Sequence, residues 1–158
     1  MNIELNLDNT KTVLNFQWTP LQKDGHNIYL WELDHKRDGE NQPVIYRFVL
    51  VHPNAGKVTI YVGEGSSLNG PERNNLVHQY GGKATGRKTR EEVKEYIAGQ
   101  KLQGWTELLC LSNEPKITLA NEEERKFLQE LLIGAYYLEH RELKSKFSTI
   151  PRFLNKPR

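Results

Sequence analysis

The stretch of residues 57–78 constrains the fold of this chain more than any other segment. A β-branched, apolar run ends in residues 61–65, and Pro71 then predicts the first position of a helix. The chain therefore turns from strand to helix through glycines, and Arg73 and His78 follow just past the turn. A cation and an imidazole beside such a turn indicate a candidate binding or catalytic site.

The composition predicts one domain with a modest core. The chain has 158 residues, of which 37% are hydrophobic, and its mean hydropathy is −0.71. The single cysteine, Cys110, cannot form an internal disulfide, so the fold does not require an oxidising compartment. No apolar run reaches membrane-spanning length, and the first residues lack the order of a signal peptide. We therefore expect a cytoplasmic protein with no membrane partner.

The charges are distributed unevenly along the chain. Residues 1–42 carry four Lys and Arg against seven Asp and Glu, whereas residues 43–158 carry eighteen against thirteen. The last nineteen residues contain six Lys and Arg and one Glu. A polyanion partner requires a basic cluster of this kind, but a solvated helix end produces the same pattern.

Residues 1–42 are predicted to be an N-terminal extension with short strands, and residues 43–158 the main domain. Residues 3–7 and 13–18 alternate between apolar and polar side chains, which is typical of half-buried strands. Residues 27–33 are a third strand candidate, and residues 34–41 have the composition of an exposed loop.

A β-hairpin is predicted over residues 43–62. Two runs rich in β-branched and aromatic residues are joined by a short segment that contains Asn and Gly. Because side chains alternate along a strand, a register with Tyr46 opposite Tyr61 would place both hydroxyls on one face. A slip of one residue would separate them, and the sequence leaves both registers open.

The segment after the hairpin is predicted to contain a helix, a second helix, a strand and a third helix, in that order. The first helix is predicted from Pro71 to a stop at Gly81, the second after a capping box at Thr89, and the strand over residues 105–111. Asn121 is predicted to cap the longest helix. We therefore predict the α+β class, with a small, mostly antiparallel three-stranded sheet flanked by helices and a β-rich N-terminal extension.

This element order resembles that of the GIY-YIG nuclease superfamily over residues 43–155. The first family motif is similar to residues 44–46, Val-Ile-Tyr, with Val in place of the usual Gly, and the second to residues 61–63, Tyr-Val-Gly. The resemblance implies that Tyr46 is a general base or orients the attacking water, with Tyr61 beside it. It further implies that Arg73 binds the phosphate and that His78 assists the base or the leaving group.

The family also has a metal-binding glutamate on its long helix. The leucine pattern of that helix puts Gln129 in the glutamate position, and glutamine cannot supply the charge that holds a hard divalent cation. Either a shift of one residue makes Glu130 the ligand of Mg²⁺ or Mn²⁺, or the glutamate has been replaced; Glu139 is a third possibility. We take Glu130 as the predicted metal ligand.

The resemblance implies a metal-dependent DNA endonuclease of a compact restriction or phage type, acting as a monomer or homodimer. We expect DNA contacts from residues 1–42, the basic C terminus and the segment around residues 83–90. The predicted nucleic-acid-binding residues are Lys83, Arg87, Lys88, Arg90 and Asn155. Two alternatives stay open: a nucleic-acid-binding domain of this family that has lost cleavage, which Val44 and Gln129 favour, and a protein-interaction module.

Overall fold

The computed structural model describes residues 2–7, 10–34, 42–70, 74–81, 86–111 and 118–155, and these contain seven strands, three α-helices and one 3₁₀ helix. The strands are β1 (Asn2–Leu7), β2 (Thr10–Pro20), β3 (Gln22–Lys23), β4 (His26–Asn27), β5 (Val44–His52), β6 (Gly56–Gly65) and β7 (Gln103–Leu111). The helices are α1 (Leu76–Gln79), α2 (Arg87–Gln100) and α3 (Glu122–Lys146), and the 3₁₀ helix covers Leu30–Glu32.

Five of these strands form one antiparallel sheet, in the order β1-β2-β7-β5-β6, which curls into a half-barrel. The predicted three-stranded sheet flanked by helices is therefore wrong. The sheet is larger because residues 16–20 of β2 pair with residues 107–111 of β7, and β1 pairs with the first half of β2. Alternation in the sequence located both N-terminal strands, but it does not specify which distant strand each one pairs with.

The helical content is also smaller than predicted. Within the described residues, the helix predicted from Pro71 is helical only over Leu76–Gln79, and Pro71 itself lies outside them. The second helix begins at Arg87, so Thr89 lies inside its first turn and does not cap it. The predicted cap of α3 is confirmed, because the Asn121 side chain accepts a hydrogen bond of 3.0 Å from the backbone N–H of Glu124.

β5 lies in the interior of the sheet and is buried on both faces. Ile45 packs with residues of α3, whereas Tyr46 and Phe48 pack with residues of α1, α2 and the 3₁₀ helix. All three side chains are at most 2% exposed. A strand covered on both faces explains why β5 is apolar almost throughout.

Helix α3 covers one of these faces. Leu128, Leu132 and Tyr136 recur every four residues and are buried, so they form the apolar side of the helix. None of the helices in the described ranges is long and apolar enough to cross a bilayer.

The one charged residue within the β5 interior, Arg47, is neutralised by Glu107 of β7. The Arg47 Nε atom lies 2.9 Å from Glu107 Oε1, and its Nη1 atom donates to the hydroxyls of Thr59 and Tyr136 at 2.9 and 3.1 Å. Burial acts to raise the pKa of the fully buried Glu107. Hydrogen bonds from Trp105 and Arg47, with nearby positive charge, outweigh burial and hold that pKa below its usual value.

The substitution Glu107→Gln should lower the free energy of unfolding by roughly 3 kcal/mol, because it leaves the Arg47 guanidinium buried without a counter-ion. Denaturant unfolding followed by circular dichroism measures this loss. The control is Lys126→Ala, which breaks an exposed ion pair with Glu122 on α3 and should leave stability unchanged. Equal losses in the two variants would contradict a structural role for the buried pair.

Candidate functional site

A β-bulge in β6 places Tyr61 on the same face of the sheet as Tyr46. Phe48 pairs with Tyr61, but the next residue of β5 pairs with Thr59, so Ile60 is an extra residue in β6. Without that extra residue, alternation would direct Tyr61 to the opposite face. The two tyrosines are therefore diagonal neighbours, with ring centroids 6.2 Å apart.

Gly63 is required by the position of the Tyr46 ring. The two residues pair across β5 and β6, and the ring of Tyr46 lies over Gly63. A Cβ atom at residue 63 would overlap the Tyr46 ring and hydroxyl. The glycine of the Tyr-Val-Gly motif therefore has a packing role that its place in the motif does not reveal.

Three tyrosine side chains form a cluster. The hydroxyls of Tyr46 and Tyr80 are 2.6 Å apart, and the ring of Tyr61 packs beside the ring of Tyr46. Arg90 donates a hydrogen bond of 2.8 Å to the carbonyl of Tyr80, so α2 holds the end of α1 in place. The cluster leads from the buried Tyr46 and Tyr80 to the partly exposed Tyr61.

Tyr80 is the site residue that sequence reasoning missed. The motif comparison selected His78, but His78 is exposed on the single turn of α1, whereas Leu76, Val77 and Tyr80 are buried. The spacing of those three buried residues was the available signal, because it marks the inward side of a helical turn.

Burial controls the protonation of the cluster. It raises the pKa of the Tyr46 and Tyr80 phenols well above 10 and raises that of Tyr61 as well. All three side chains are therefore neutral phenols at pH 7. In this state they can orient a water molecule and relay a proton, whereas a phenolate base would first require a bound cation to lower the pKa.

Tyr61 lines a cleft of about 710 Å³ at the edge of β6, facing α3. Such a volume is in the range of small-ligand sites. The other lining residues are mostly polar or charged: Glu64, Glu123, Lys126, Phe127, Gln129 and Glu130. The structure thus brings Tyr61, Gln129 and Glu130 to one cleft, with Tyr46 packed beside Tyr61.

The carboxylates of the cleft differ in their surroundings. Glu64 Oε2 lies 2.6 Å from Nε of Arg125, a buried residue, so Glu64 is already neutralised. Gln129 donates a 3.4 Å hydrogen bond to the carbonyl of Val62, while Glu130 is exposed at the cleft. Glu139, the third predicted possibility, does not line the cleft.

These donors fit a divalent cation that is shared with a substrate. No group of three or more His, Cys, Asp or Glu in the described part of the chain is arranged to hold a metal by itself. Mg²⁺, however, is commonly held by one or two carboxylates together with substrate phosphates. Glu130 can supply such a carboxylate oxygen.

The other residues predicted to bind phosphate or nucleic acid do not line this cleft in the described part of the chain. Arg73 and Lys83 lie outside the described residues. Arg87 and Lys88 are exposed at the start of α2, whereas Arg90 is partly buried against Tyr80.

Asn155 binds the open edge of β6. Its side chain accepts a 2.7 Å hydrogen bond from the Val62 N–H and donates one of 2.9 Å to the Val62 carbonyl. The backbone N–H of Leu154 also donates to the Ile60 carbonyl at 2.7 Å. The C-terminal segment therefore covers the edge strand directly beside Tyr61.

The substitution Gly63→Ala should destabilise the protein by roughly 1–3 kcal/mol, because the new methyl group displaces the Tyr46 ring. Gly134→Ala is the matched control, since Gly134 is an exposed residue of α3 with nothing near its Cβ position. Alanine there should stabilise the helix by about 0.5–1 kcal/mol. Thermal unfolding of both variants measures the difference, and a stable Gly63→Ala variant would contradict the packing of Tyr46.

Stability should fall as the pH rises above the ordinary tyrosine pKa of about 10. The folded-state pKa values of Tyr46, Tyr61 and Tyr80 lie above the unfolded value, so the stabilisation is complete below pH 10 and is lost at higher pH. Melting temperature and tyrosinate absorbance, recorded together, measure this effect. Replacing Tyr46 and Tyr80 with Phe should reduce the pH dependence, and ionisation of all seven tyrosines without unfolding would contradict it.

The chain was compared with known proteins in three ways: no family model matches it, and no curated protein or solved structure shows a significant similarity to it.

Proposed function

We propose that this protein is a metal-dependent DNA endonuclease that hydrolyses phosphodiester bonds in the cleft between β6 and α3. One observation carries the proposal: Tyr61, packed beside the hydrogen-bonded Tyr46 and Tyr80, lines the same cleft as Glu130. The resemblance of residues 44–46 and 61–63 to the GIY-YIG motifs supports the same chemistry.

In the proposed reaction Tyr61 orients the attacking water, because among the three clustered tyrosines it is the one that lines the cleft. Tyr46 and Tyr80 lie behind Tyr61 and position it. The Tyr61 hydroxyl passes the proton that the water loses to solvent in the open cleft, and the leaving 3′-oxygen takes a proton from solvent. Arg90 is a positioning residue in this scheme, because it acts through the backbone of Tyr80.

The attack forms a bond from the water oxygen to phosphorus and breaks the bond from phosphorus to the 3′-oxygen of the leaving strand. Negative charge then develops on the phosphoryl group and the leaving oxygen. Glu130 would hold Mg²⁺ or Mn²⁺, and the bound ion would neutralise that charge. Lys126 supplies a positive charge at the cleft, and Arg73 keeps its proposed role as phosphate ligand through the family resemblance.

DNA outside the cleft would contact exposed cations. Arg87 and Lys88 at the start of α2 are the described candidates, and Arg152 is exposed in the C-terminal segment although it pairs with Glu92. Contacts of this kind bind the phosphate backbone and make affinity depend on salt.

Gln129 supports a second candidate function, a nucleic-acid-binding domain without cleavage. Its amide donates to the Val62 carbonyl and lines the cleft where the family has a glutamate. A neutral amide at that position lowers the negative charge available to a divalent cation.

Supercoiled plasmid should be nicked with Mg²⁺ and left intact with chelator. Tyr61→Phe should reduce the rate by about 10²–10⁴-fold, the range for loss of a proton-transfer group. Glu130→Ala should abolish metal-dependent nicking, while Glu139→Ala, on the same helix but outside the cleft, should cut at the wild-type rate. Gel electrophoresis of the plasmid over time measures all of these rates.

Two results would favour the second candidate. One is salt-sensitive DNA binding by the wild-type protein without any metal-dependent nicking. The other is nicking that appears only in Gln129→Glu, which restores the acid of the family pattern. Normal nicking by Glu130→Ala would show that another residue holds the metal.

A further inference from the structure

Phe127 is an exposed aromatic residue at the cleft. It is 51% exposed, although α3 buries other apolar residues against the sheet. A single exposed apolar residue is ordinary on protein surfaces. Phe127, however, lines the same cleft as Tyr61 and Glu130, where each other lining side chain carries a polar or charged group.

A phenylalanine ring at a nucleotide site recognises the face of a base. It has no hydrogen-bonding atom with which to distinguish base edges in a groove of the duplex. In a duplex the base faces are covered by their stacked neighbours, whereas an unpaired base offers its face to an aromatic ring.

We propose that Phe127 is a stacking platform for an unpaired base beside the phosphate in the cleft, and that single-stranded or locally unpaired DNA is the ligand. This inference rests on the proposed function, because the position of the phosphate in the cleft is part of that proposal. The neighbouring Lys126, whose ammonium pairs with the exposed Glu122, lines the same cleft and can donate to the backbone of the stacked nucleotide.

Stacking also offsets an electrostatic disadvantage of the cleft. Glu64, Glu123 and Glu130 line it, and carboxylates at a cleft oppose the approach of a phosphate. Contact with a neutral base is an attraction that this negative charge does not weaken. The same cleft can thus offer carboxylates to a cation and still bind a nucleotide through its base.

A protein partner is the competing explanation. Phe127, Leu131, Ala135 and Leu138 follow one side of α3, and Leu138 is 60% exposed. Leu131 is half-buried and residues 134 and 135 are Gly and Ala, so the stripe offers little side-chain area between its two exposed ends. A stable interface requires roughly 1,000 Å² or more, which makes base stacking the better use of Phe127.

Fluorescence anisotropy tests the inference directly. The probes are a short labelled oligothymidylate with a nuclease-resistant backbone and a labelled hairpin duplex, both with Mg²⁺. Phe127→Ala should weaken binding of the single strand about tenfold, the loss expected for one base–aromatic stack. Phe127→Trp should restore binding, and Leu138→Ala, equally apolar and exposed on the same helix, should bind like wild type.

A fluorescent adenine analogue in the strand supplies a second measurement. Stacking on Phe127 should change its emission in the wild-type complex, and Phe127→Ala should remove that change. Wild-type single-strand affinity in Phe127→Ala, or equal loss in Leu138→Ala, would overturn the inference. A shift in self-association caused by both alanine variants would instead assign the stripe to a protein partner.

Failure of this inference is distinguishable from failure of the proposed function. If the plasmid is nicked but Phe127→Ala binds normally, only the stacking assignment is wrong. If no DNA is cut but single-strand binding depends on Phe127, the protein binds unpaired bases without being a nuclease.

Discussion

The extra residue in β6 is the constraint on which the candidate site depends. Ile60 and Tyr61 are consecutive, yet both pack toward the face that holds Tyr46. The same shift leaves Val62 and Glu64 facing α3, where Glu64 meets Arg125. One irregular position therefore directs a phenol to one side of the strand and a carboxylate to the other, and both reach the cleft at its edge.

Burial of β5 on both faces restricts how this geometry can change. β5 cannot shift toward either layer without disturbing packed side chains, and the Arg47–Glu107 pair links it to β7. The tyrosine cluster is built on this strand, while the groups proposed to meet metal and base come from α3. The site thus combines a strand with little freedom to move and a helix whose outer residues are exposed.

Local patterns in the sequence predicted part of this arrangement. Alternating polarity located β1 and β2, composition and a turn signal located the β5–β6 hairpin, a strand was predicted within β7, and Asn121 marked the start of α3. The sequence could not predict the pairing of β2 with β7 or the bulge at Ile60, because both depend on contacts between distant segments. For Tyr80, the spacing with Leu76 and Val77 indicates a buried side chain, but its hydrogen bond to Tyr46 depends on where a one-turn helix packs.

The attachment of Leu154 and Asn155 to β6 has a consequence for biosynthesis. Residues 60 and 62 leave the ribosome long before the segment that covers them, as does β2 before its partner β7. Until then the sheet has an unpaired edge, and contacts so distant in sequence are slow to form. The nascent chain therefore carries this unpaired edge, with its risk of aggregation, until the segment that covers it has been synthesised.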